Sequence, residues 1–245
     1  MNIVRDAIML LYLIIVTPVL GVLCLLSALL GDKNGLIWWS ISRFWAKGIL
    51  FFCGVSRIKI LGQERLQKSK STIIMSNHHS HLDPPLFISL SKKIPVRFIA
   101  KSSLFYFPVF GTALWAMGHI AVNRSNKRKA YHSLKKAAQS IAKGKTVLVF
   151  PEGHRTQDDN LQAFKNGGFS LAMQAKVRIL PVGIYGTQII LPPGMGFLQK
   201  TGPIVIVIGE FIPSQNCKNK EQLKSVVREK IKALKQEAKK VYETL

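Results

Sequence analysis

Residues 72–85, TIIMSNHHSHLDPP, join a short apolar run to a helix start through a polar loop. The run at residues 72–75 predicts a buried strand. Asp83, followed by two prolines, predicts the first turn of a helix with the Asp83 carboxylate as its N-cap. Because sites in α/β sheets usually lie where a strand passes into a helix, this loop is the first candidate for a functional site.

Three histidines lie in the loop, and three interpretations of them stay open at this point. The histidines are His78, His79 and His81. They are polar loop residues, ligands of a metal ion, or the source of the imidazole in a His–Asp general base. A metal site has weak support, because the chain has neither an HExxH motif nor a cysteine near the loop. In the third interpretation, a tight turn brings His78 to Asp83, five residues later. The carboxylate then fixes the imidazole tautomer and leaves the other ring nitrogen free as a base.

The composition predicts an anionic partner. The chain has 245 residues, enough for one α/β domain with a small appendage, and a net charge of +23. Such a charge suits nucleic acid, an anionic membrane surface, or a phosphorylated or CoA-like substrate. The apolar N-terminus argues against nucleic acid. The three cysteines are far apart and form no CxxC motif, which predicts a reducing compartment.

The N-terminal segment predicts a membrane anchor. Residues 7–30 carry no charge, and as a helix they would be about 36 Å long, enough to cross a hydrocarbon core of about 30 Å. Pro18 and Gly21 lie in mid-run and would kink the helix. A helix that spans the membrane and a bent helix embedded in one leaflet are therefore both compatible with the sequence.

A second apolar helix is predicted over residues 36–52. Its cations suit lipid phosphates, and its three tryptophans suit the headgroup level of a membrane. The tryptophans are Trp38, Trp39 and Trp45. A core helix is the alternative interpretation. We expect residues 1–55 to form a two-helix membrane anchor and residues 56–245 to form an α/β domain.

The rest of the chain alternates strands and helices, which predicts an α/β fold with a mostly parallel central sheet flanked by helices. Strands are predicted over residues 57–62, 72–75, 96–100, 119–122, 146–150, 177–185 and 204–208. Helices are predicted over residues 83–91, 107–117, 127–143 and 219–243, with another that begins near residue 167.

Cations follow three of the predicted strands, namely Lys101, Arg124 and Arg155. Because the carboxyl ends of parallel strands meet at one edge of a sheet, we expect these side chains to converge with the histidine loop. Arginine binds phosphate as a bidentate fork and lysine binds it as a point charge. Lys165, just before a predicted helix N-terminus, adds a further anion-binding group.

Four ordered blocks of sequence resemble those of the glycerolipid acyltransferases. The blocks are NHHSHLD at 77–83, GHIAVNR at 118–124, FPEGHR at 150–155 and ILPV at 179–182, with FKNG at 164–167 before the last. The short anchored chain is most similar to the bacterial 1-acylglycerol-3-phosphate acyltransferases. Two positions depart from the family pattern: His154 stands where threonine is usual, and Asn123 where aspartate is common.

The resemblance implies an enzyme that moves a fatty acyl group from a thioester to the 2-hydroxyl of 1-acylglycerol-3-phosphate and gives phosphatidate. His78 would be the general base and Asp83 would orient it, as in a Ser–His–Asp triad whose hydroxyl comes from the substrate. Phosphate would be bound by Lys101, Arg124 and Arg155. Substrate binding or support of the site would fall to Asn77, Glu152, Gly153 and Lys165. No metal and no cofactor are expected.

The same resemblance implies partners and a location. The partners are lysophosphatidate, an anionic bilayer, and acyl-CoA or acyl-carrier protein as co-substrate, without nucleic acid. The location is the cytoplasmic face of the inner membrane, and residues 105–115 are expected to line a tunnel for the acyl chain. The alternatives are glycerol-3-phosphate or another lysophospholipid as acceptor, a membrane-bound acyl hydrolase, and a basic membrane scaffold without activity.

Overall fold

The computed structural model describes residues 3–32, 34–123, 127–155, 160–194 and 196–245. Its helices are α1 (Ile3–Leu29), α2 (Leu36–Phe52), α3 (Gln63–Gln67), α4 (Asp83–Leu90), α5 (Phe110–Ala116), α6 (Lys127–Ala142), α7 (Gly167–Ala175), α8 (Thr187–Ile190) and α9 (Lys220–Tyr242), with 3₁₀ helices at Ser102–Tyr106 and Ser214–Asn216. Its strands are β1 (Val55–Leu61), β2 (Thr72–Ser76), β3 (Val96–Lys101), β4 (Ile120–Val122), β5 (Thr146–Val149), β6 (Arg178–Tyr185), β7 (Gly202–Ile208) and β8 (Ile212–Pro213).

The strands form one sheet in the order β1-β7-β6-β2-β5-β3-β4, and β8 pairs with β6. The pairs that β6 makes with β7 and β8 are antiparallel, and the other pairs are parallel. The predicted α/β fold with a mostly parallel sheet is confirmed. β2 lies between β6 and β5 and is buried along its whole length, which explains why its three central residues, 73–75, are all apolar.

Hydrophobic core clusters cover both faces of the sheet. On one face, α2 and α4 pack against the sheet, and Trp39 Nε1 donates a hydrogen bond of 2.7 Å to the carbonyl of Ser91. On the other face lie α6, α7 and α9; α9 buries Leu223, Val227 and Ile231 there. The sheet is therefore a central layer between two layers of helices.

The prediction that all three tryptophans of α2 lie at headgroup level is wrong. Trp38 and Trp39 are buried in the protein core, because α2 packs directly on α4. Trp45 is partly buried, and its Nε1 donates a hydrogen bond of 3.0 Å to Thr17 Oγ1 of α1. The side chains of α2 and of the sheet belong to one core cluster. The division of the chain at residue 55 into a membrane anchor and an α/β domain therefore stays a prediction.

Among the described residues, α1 is the one helix that is long and apolar enough to cross a membrane. Most of its apolar side chains are exposed, which indicates membrane association. Near its N-terminus, Asp6 Oδ1 accepts a hydrogen bond of 2.9 Å from Leu198 N. In its second half, a Cβ on Gly21 would lie 3.2 Å from Val109 Cγ1. Both halves of α1 therefore contact the rest of the protein.

The helix predicted over residues 107–117 is shorter than expected. A 3₁₀ helix ends at Tyr106, and α5 begins only at Phe110. Between them, Pro108 lacks a backbone N–H, and Val109 has a φ of 60°, outside the helical region. The chain therefore turns sharply at this point.

β6 and α9 pack so closely that the space between them requires glycine at position 183. A Cβ at Gly183 would overlap the backbone of Leu234 and Lys235. We expect Gly183→Ala to lower the free energy of unfolding by about 3 kcal/mol, which corresponds to a fall in Tm of about 6–12 °C. Thermal unfolding in detergent, followed by circular dichroism, measures this change.

Gly196→Ala is the matched control, because a Cβ there meets no atom within 4 Å. We expect its effect to stay within about 0.5 kcal/mol. Equal Tm values for the two variants would contradict the close packing of β6 on α9.

Candidate active site

The histidine loop begins at the carboxyl end of β2 and leads into α4. His78 Nδ1 lies 2.8 Å from Asp83 Oδ2, so the two predicted partners are in contact. Asp83 is only 1% exposed. The side chain of His78 is 16% exposed, so that part of the ring remains accessible from outside. The pair therefore joins a buried carboxylate to an imidazole at the protein surface.

Asp83 is held as an anion by four hydrogen bonds. Besides His78, its Oδ2 accepts bonds of 2.9 Å from the backbone N–H groups of His79 and Ser80. Its Oδ1 accepts a bond of 2.7 Å from Thr187 Oγ1. Burial raises the pKa of Asp83, but the hydrogen bonds and the His78 charge outweigh burial, and the net pKa lies below its ordinary value.

The predicted N-cap role of Asp83 is wrong. Asp83 is the first residue of α4, and Leu82 occupies the cap position. The Asp83 carboxylate points back toward the preceding loop, where it accepts the N–H groups of His79 and Ser80. The carboxylate thus closes the loop on itself instead of capping the helix.

The imidazole of His78 is fixed on its ring face as well as at Nδ1. It stacks on Phe150 with a centroid separation of 3.9 Å and an interplanar angle of 13°. Because Asp83 accepts a hydrogen bond from Nδ1, the tautomer with a free Nε2 is favoured. The arrangement can therefore accept a proton at Nε2 from a group bound at the surface.

Glu152 is a second buried carboxylate at the site, and it binds backbone groups. Its Oε1 accepts a hydrogen bond of 2.9 Å from His78 N, and its Oε2 accepts one of 2.9 Å from Gln162 N. The side chain is fully buried. Glu152 therefore ties the segment after β5 to the histidine loop.

Asn77 connects two strands. Its Nδ2 donates a hydrogen bond of 2.9 Å to Ile184 O, and its Oδ1 accepts one of 2.8 Å from Ile184 N. These bonds continue the pairing of β2 with β6 by one residue beyond the strand. Because the side chain is buried and bonded on both atoms, Asn77 shapes the loop and does not face a ligand.

Two of the predicted cations lie close to the pair or to the loop after β5. Arg155 interacts electrostatically with Asp83 and with His81, and its Nη1 is buried without a hydrogen-bond partner among the described residues. Burial lowers the pKa of Arg155, and the Asp83 charge partly opposes this change. Lys165 N donates a hydrogen bond of 2.8 Å to Pro151 O, and its Nζ would lie 3.0 Å from a Cβ on Gly153.

The other two predicted cations are not shown in contact with the His78–Asp83 pair. Lys101 is exposed at the carboxyl end of β3, and the sheet order puts β3 beside β5, at the same edge as the histidine loop. Arg124 lies outside the described residues. Gly153, with a φ of 77°, makes the turn that brings Arg155 back toward the loop.

The histidine of the second block has a structural role. His119 Nδ1 accepts a hydrogen bond of 3.0 Å from Phe98 N, and its ring contacts Trp38. Burial, and then the Arg97 charge, lower the pKa of His119 to about 3. His119 is therefore neutral at physiological pH and joins β3, the chain before β4, and α2.

Two residues that sequence reasoning missed complete the site. Thr187 follows β6 at the same sheet edge, but only the fold reveals its bond to Asp83. Arg228 on α9 donates from Nη1 to Gln162 O and from Nη2 to Leu161 O, the latter at 2.8 Å. The position of Thr187 after a strand was a usable signal, whereas nothing near Arg228 in the sequence indicates its contact.

No group of three or more His, Cys, Asp or Glu side chains within the described ranges is arranged to hold a metal ion.

Comparison with known proteins identifies the family. The family model described as "Acyltransferase" matches residues 57–185, which include the histidine loop and the FPEGHR block, and the chain belongs to this family. The chain is 32% identical to the 1-acyl-sn-glycerol-3-phosphate acyltransferase of Borreliella burgdorferi, over 74% of this chain and 72% of that protein. It is 31% identical to the enzyme of that name from Saccharomyces cerevisiae, over 80% of this chain and 64% of that protein.

The chain spans about half the length of the algal and plant relatives that it matches. One of these is the chloroplastic 1-acyl-sn-glycerol-3-phosphate acyltransferase LPAT1 of Arabidopsis thaliana, which is 32% identical over 69% of this chain and 46% of that protein. The fold is also that of the crystal structure of the 1-acyl-sn-glycerophosphate acyltransferase PlsC from Thermotoga maritima. The TM-score is 0.81 at 23% identity, with 98% of each chain covered.

The Thr187 hydroxyl donates a hydrogen bond to the ionised Asp83 carboxylate. Its contribution to the free energy of unfolding therefore depends on pH. We expect Thr187→Val to lower the free energy of unfolding by about 1.5–3 kcal/mol at pH 7, because the ionised Asp83 loses a buried donor. Since the folded-state pKa of Asp83 is depressed, this stabilisation is present above the unfolded-state pKa. The difference from wild type should shrink as the pH falls through the folded-state pKa, as urea unfolding at several pH values can measure.

Thr146→Val is the matched control. Thr146 is equally buried, and its Oγ1 donates a hydrogen bond of 2.5 Å to Ser69 O, which is a neutral acceptor. We expect a destabilisation that does not change with pH. A pH-independent loss in both variants would contradict the assignment of Thr187 as a donor to an ionised Asp83.

Proposed function

We propose that this protein transfers a fatty acyl group from a thioester to the 2-hydroxyl of 1-acylglycerol-3-phosphate and so forms phosphatidate. The observation that carries the proposal is the contact between His78 and the buried, ionised Asp83 in a chain of the acyltransferase family. The names of its relatives support the choice of acceptor.

The pair supports general-base catalysis. An alcohol is a weak nucleophile at neutral pH, and it needs a base positioned to take its proton. In the proposed step, His78 Nε2 takes the proton of the 2-hydroxyl while the oxygen attacks the thioester carbonyl. The Asp83 charge stabilises the resulting imidazolium through Nδ1. The tetrahedral intermediate then collapses, the carbon–sulfur bond breaks, and the leaving thiolate takes the proton from Nε2.

The acceptor supplies the nucleophile in this scheme. Ser80, two residues from His78, is fully buried, and its Oγ donates a hydrogen bond of 2.8 Å to Leu191 O. The same Oγ accepts a hydrogen bond of 3.1 Å from Leu82 N. Because both functions of the hydroxyl are engaged within the protein, Ser80 is not available to form an acyl-enzyme.

The cations at the sheet edge suit the phosphate of the acceptor. Arg155 has a buried Nη1 without a partner in the described part of the chain, and a phosphate oxygen would satisfy it. Lys101 is the last residue of β3, and Lys165 lies beside the turn at Gly153. In the sequence, Arg124 comes two residues after β4, the neighbour of β3. We assign the phosphate mainly to Arg155, with the lysines and Arg124 as further sources of positive charge.

The position of α1 favours attachment to one leaflet. Its N-terminal half contacts Leu198 and its second half contacts Val109, so the helix lies along the protein instead of projecting from it. We infer that α1 is embedded in the leaflet that also contains the acceptor. The three free cysteines suit the cytoplasmic face of the inner membrane, where acyl-CoA and acyl-carrier protein are found. The net charge of +23 suits either donor and an anionic bilayer.

Transfer of a radiolabelled acyl group from acyl-CoA to lysophosphatidate in detergent micelles tests the reaction. We expect wild type to form phosphatidate. His78→Ala should reduce kcat by about 10²–10⁴-fold, because the base is lost. His132→Ala, at an exposed position on α6, is the control and should keep wild-type activity.

The other outcomes have distinct meanings. Equal activity of a folded His78→Ala protein would contradict the mechanism. Release of fatty acid without an acceptor would replace the proposed reaction with hydrolysis. Product formed only with glycerol-3-phosphate would correct the acceptor, and product formed only with acyl-carrier protein would identify the donor.

Arg155 should act mainly in binding. We expect Arg155→Met to raise KM for lysophosphatidate about 10–100-fold with a smaller change in kcat, because a charge-assisted contact with phosphate is lost. Steady-state kinetics at varied acceptor concentration measure the change. Lys230→Met, at an exposed position on α9, removes the same charge away from the site and should leave KM unchanged. An unchanged KM in Arg155→Met would exclude Arg155 as the phosphate ligand.

A further inference from the structure

We propose that residues 102–116 form a second membrane-contacting element, which inserts aromatic side chains into the leaflet beside α1. This aromatic segment comprises the 3₁₀ helix Ser102–Tyr106, the turn at 107–109 and α5. The proposal rests on the exposure and the position of the segment and on the charge of the residue next to it, and it does not depend on the reaction that the protein catalyses.

The aromatic segment exposes large apolar side chains. Tyr106 is 84% exposed, Phe107 is 58% exposed and Trp115 is 77% exposed. The expectation that residues 105–115 line an acyl tunnel is therefore wrong for these three, because their side chains point out of the protein. Contiguous apolar exposure of this kind marks an interaction surface.

The apolar surface of the segment continues onto α1. α5 packs against α1, and Val109 Cγ1 lies 3.2 Å from the position of a Cβ on Gly21. The α1 residues around Gly21, including Val19 and Val22, are themselves exposed. The two elements thus present one continuous apolar surface, and a leaflet that receives α1 also meets the aromatic segment.

The backbone holds this surface in a defined shape. Val109 adopts a φ of 60°, which a β-branched residue rarely does. Around it, Gly111 N donates to Phe107 O at 2.8 Å, and Ala113 N donates to Val109 O at 2.9 Å. Strained backbone that the surrounding structure maintains is often found at functional positions. Here it lies directly between the exposed Tyr106 and Phe107 and the start of α5.

The charge next to the segment matches a lipid surface. Lys101 immediately precedes the segment and is exposed at the sheet edge that carries the histidine loop. Tyrosine and tryptophan are preferred where hydrocarbon meets headgroups, and lysine is preferred at the phosphate level. Insertion of the aromatic segment would therefore place Lys101, and with it the edge of the sheet, at the level of lipid phosphates.

Quenching of tryptophan by brominated lipid tests the insertion. The full chain is bound to vesicles of phosphatidylethanolamine and phosphatidylglycerol, with and without acyl-chain bromine, as wild type and as Trp115→Phe. Trp38 and Trp39 are buried and Trp45 is partly buried. Both proteins contain these three tryptophans, so the difference between their quenching reports on Trp115. We expect bromine to quench wild type more than Trp115→Phe, in which only the quenching of the remaining tryptophans, chiefly the partly buried Trp45 beside α1, is left.

Phe107→Glu provides an independent readout. We expect it to weaken vesicle binding about tenfold or more, because an apolar contact is lost and a charge must enter the leaflet. Val226→Glu, at an exposed apolar position on α9, is the matched control and should bind as wild type does. Circular dichroism confirms that both variants are folded.

Three results would overturn the proposal. One is vesicle-bound protein whose Trp115 emission is unquenched. Another is equal vesicle binding by folded Phe107→Glu and Val226→Glu. Self-association that Phe107→Glu abolishes, without quenching by brominated lipid, would assign the surface to a second copy of the chain and would likewise reject insertion.

Discussion

The site of this protein depends on the burial of one negative charge. Asp83 is almost inaccessible to water, and a buried carboxylate is costly unless hydrogen bonds and an opposite charge compensate it. Its partners come from two places in the chain, the loop after β2 and Thr187 after β6. The pairing of β2 with β6, extended by Asn77, brings these places together. The buried, hydrogen-bonded position that holds this charge against His78 therefore exists only in the assembled sheet.

A second buried carboxylate connects the site to the C-terminal helix. Glu152 accepts hydrogen bonds from His78 N and Gln162 N, and Arg228 of α9 holds the carbonyls of Leu161 and Gln162. These contacts form a continuous path from α9 to the histidine loop. The family match ends at residue 185, so Thr187 and Arg228 support the site from outside the matched region.

The two surfaces of the molecule have different physical roles. One edge of the sheet gathers the His–Asp pair and Arg155, which suits the phosphorylated acceptor of the proposed reaction. The apolar surface of α1 and the aromatic segment suits the lipid leaflet in which such an acceptor would lie. Lys101 lies where the two surfaces meet, at the end of β3 and the start of the aromatic segment. In the proposed function, this proximity would let a membrane-bound acceptor reach the site without extraction into water.

The sequence by itself determined the alternation of strands and helices, and with it a mostly parallel α/β sheet. The spacing of five residues allowed a contact between His78 and Asp83, and the resemblance to the acyltransferases favoured it over the two other interpretations of the loop. Periodicity and spacing are local, so a linear sequence carries them directly. Three other features depend on the tertiary structure. They are the burial of Trp38 and Trp39, the hydrogen bond from Thr187 to Asp83, and the hydrogen bonds from Arg228 to the carbonyls of residues 161 and 162. These contacts join residues far apart in the chain, and they form only once the sheet order brings β6 beside β2 and packs α2 and α9 on opposite faces.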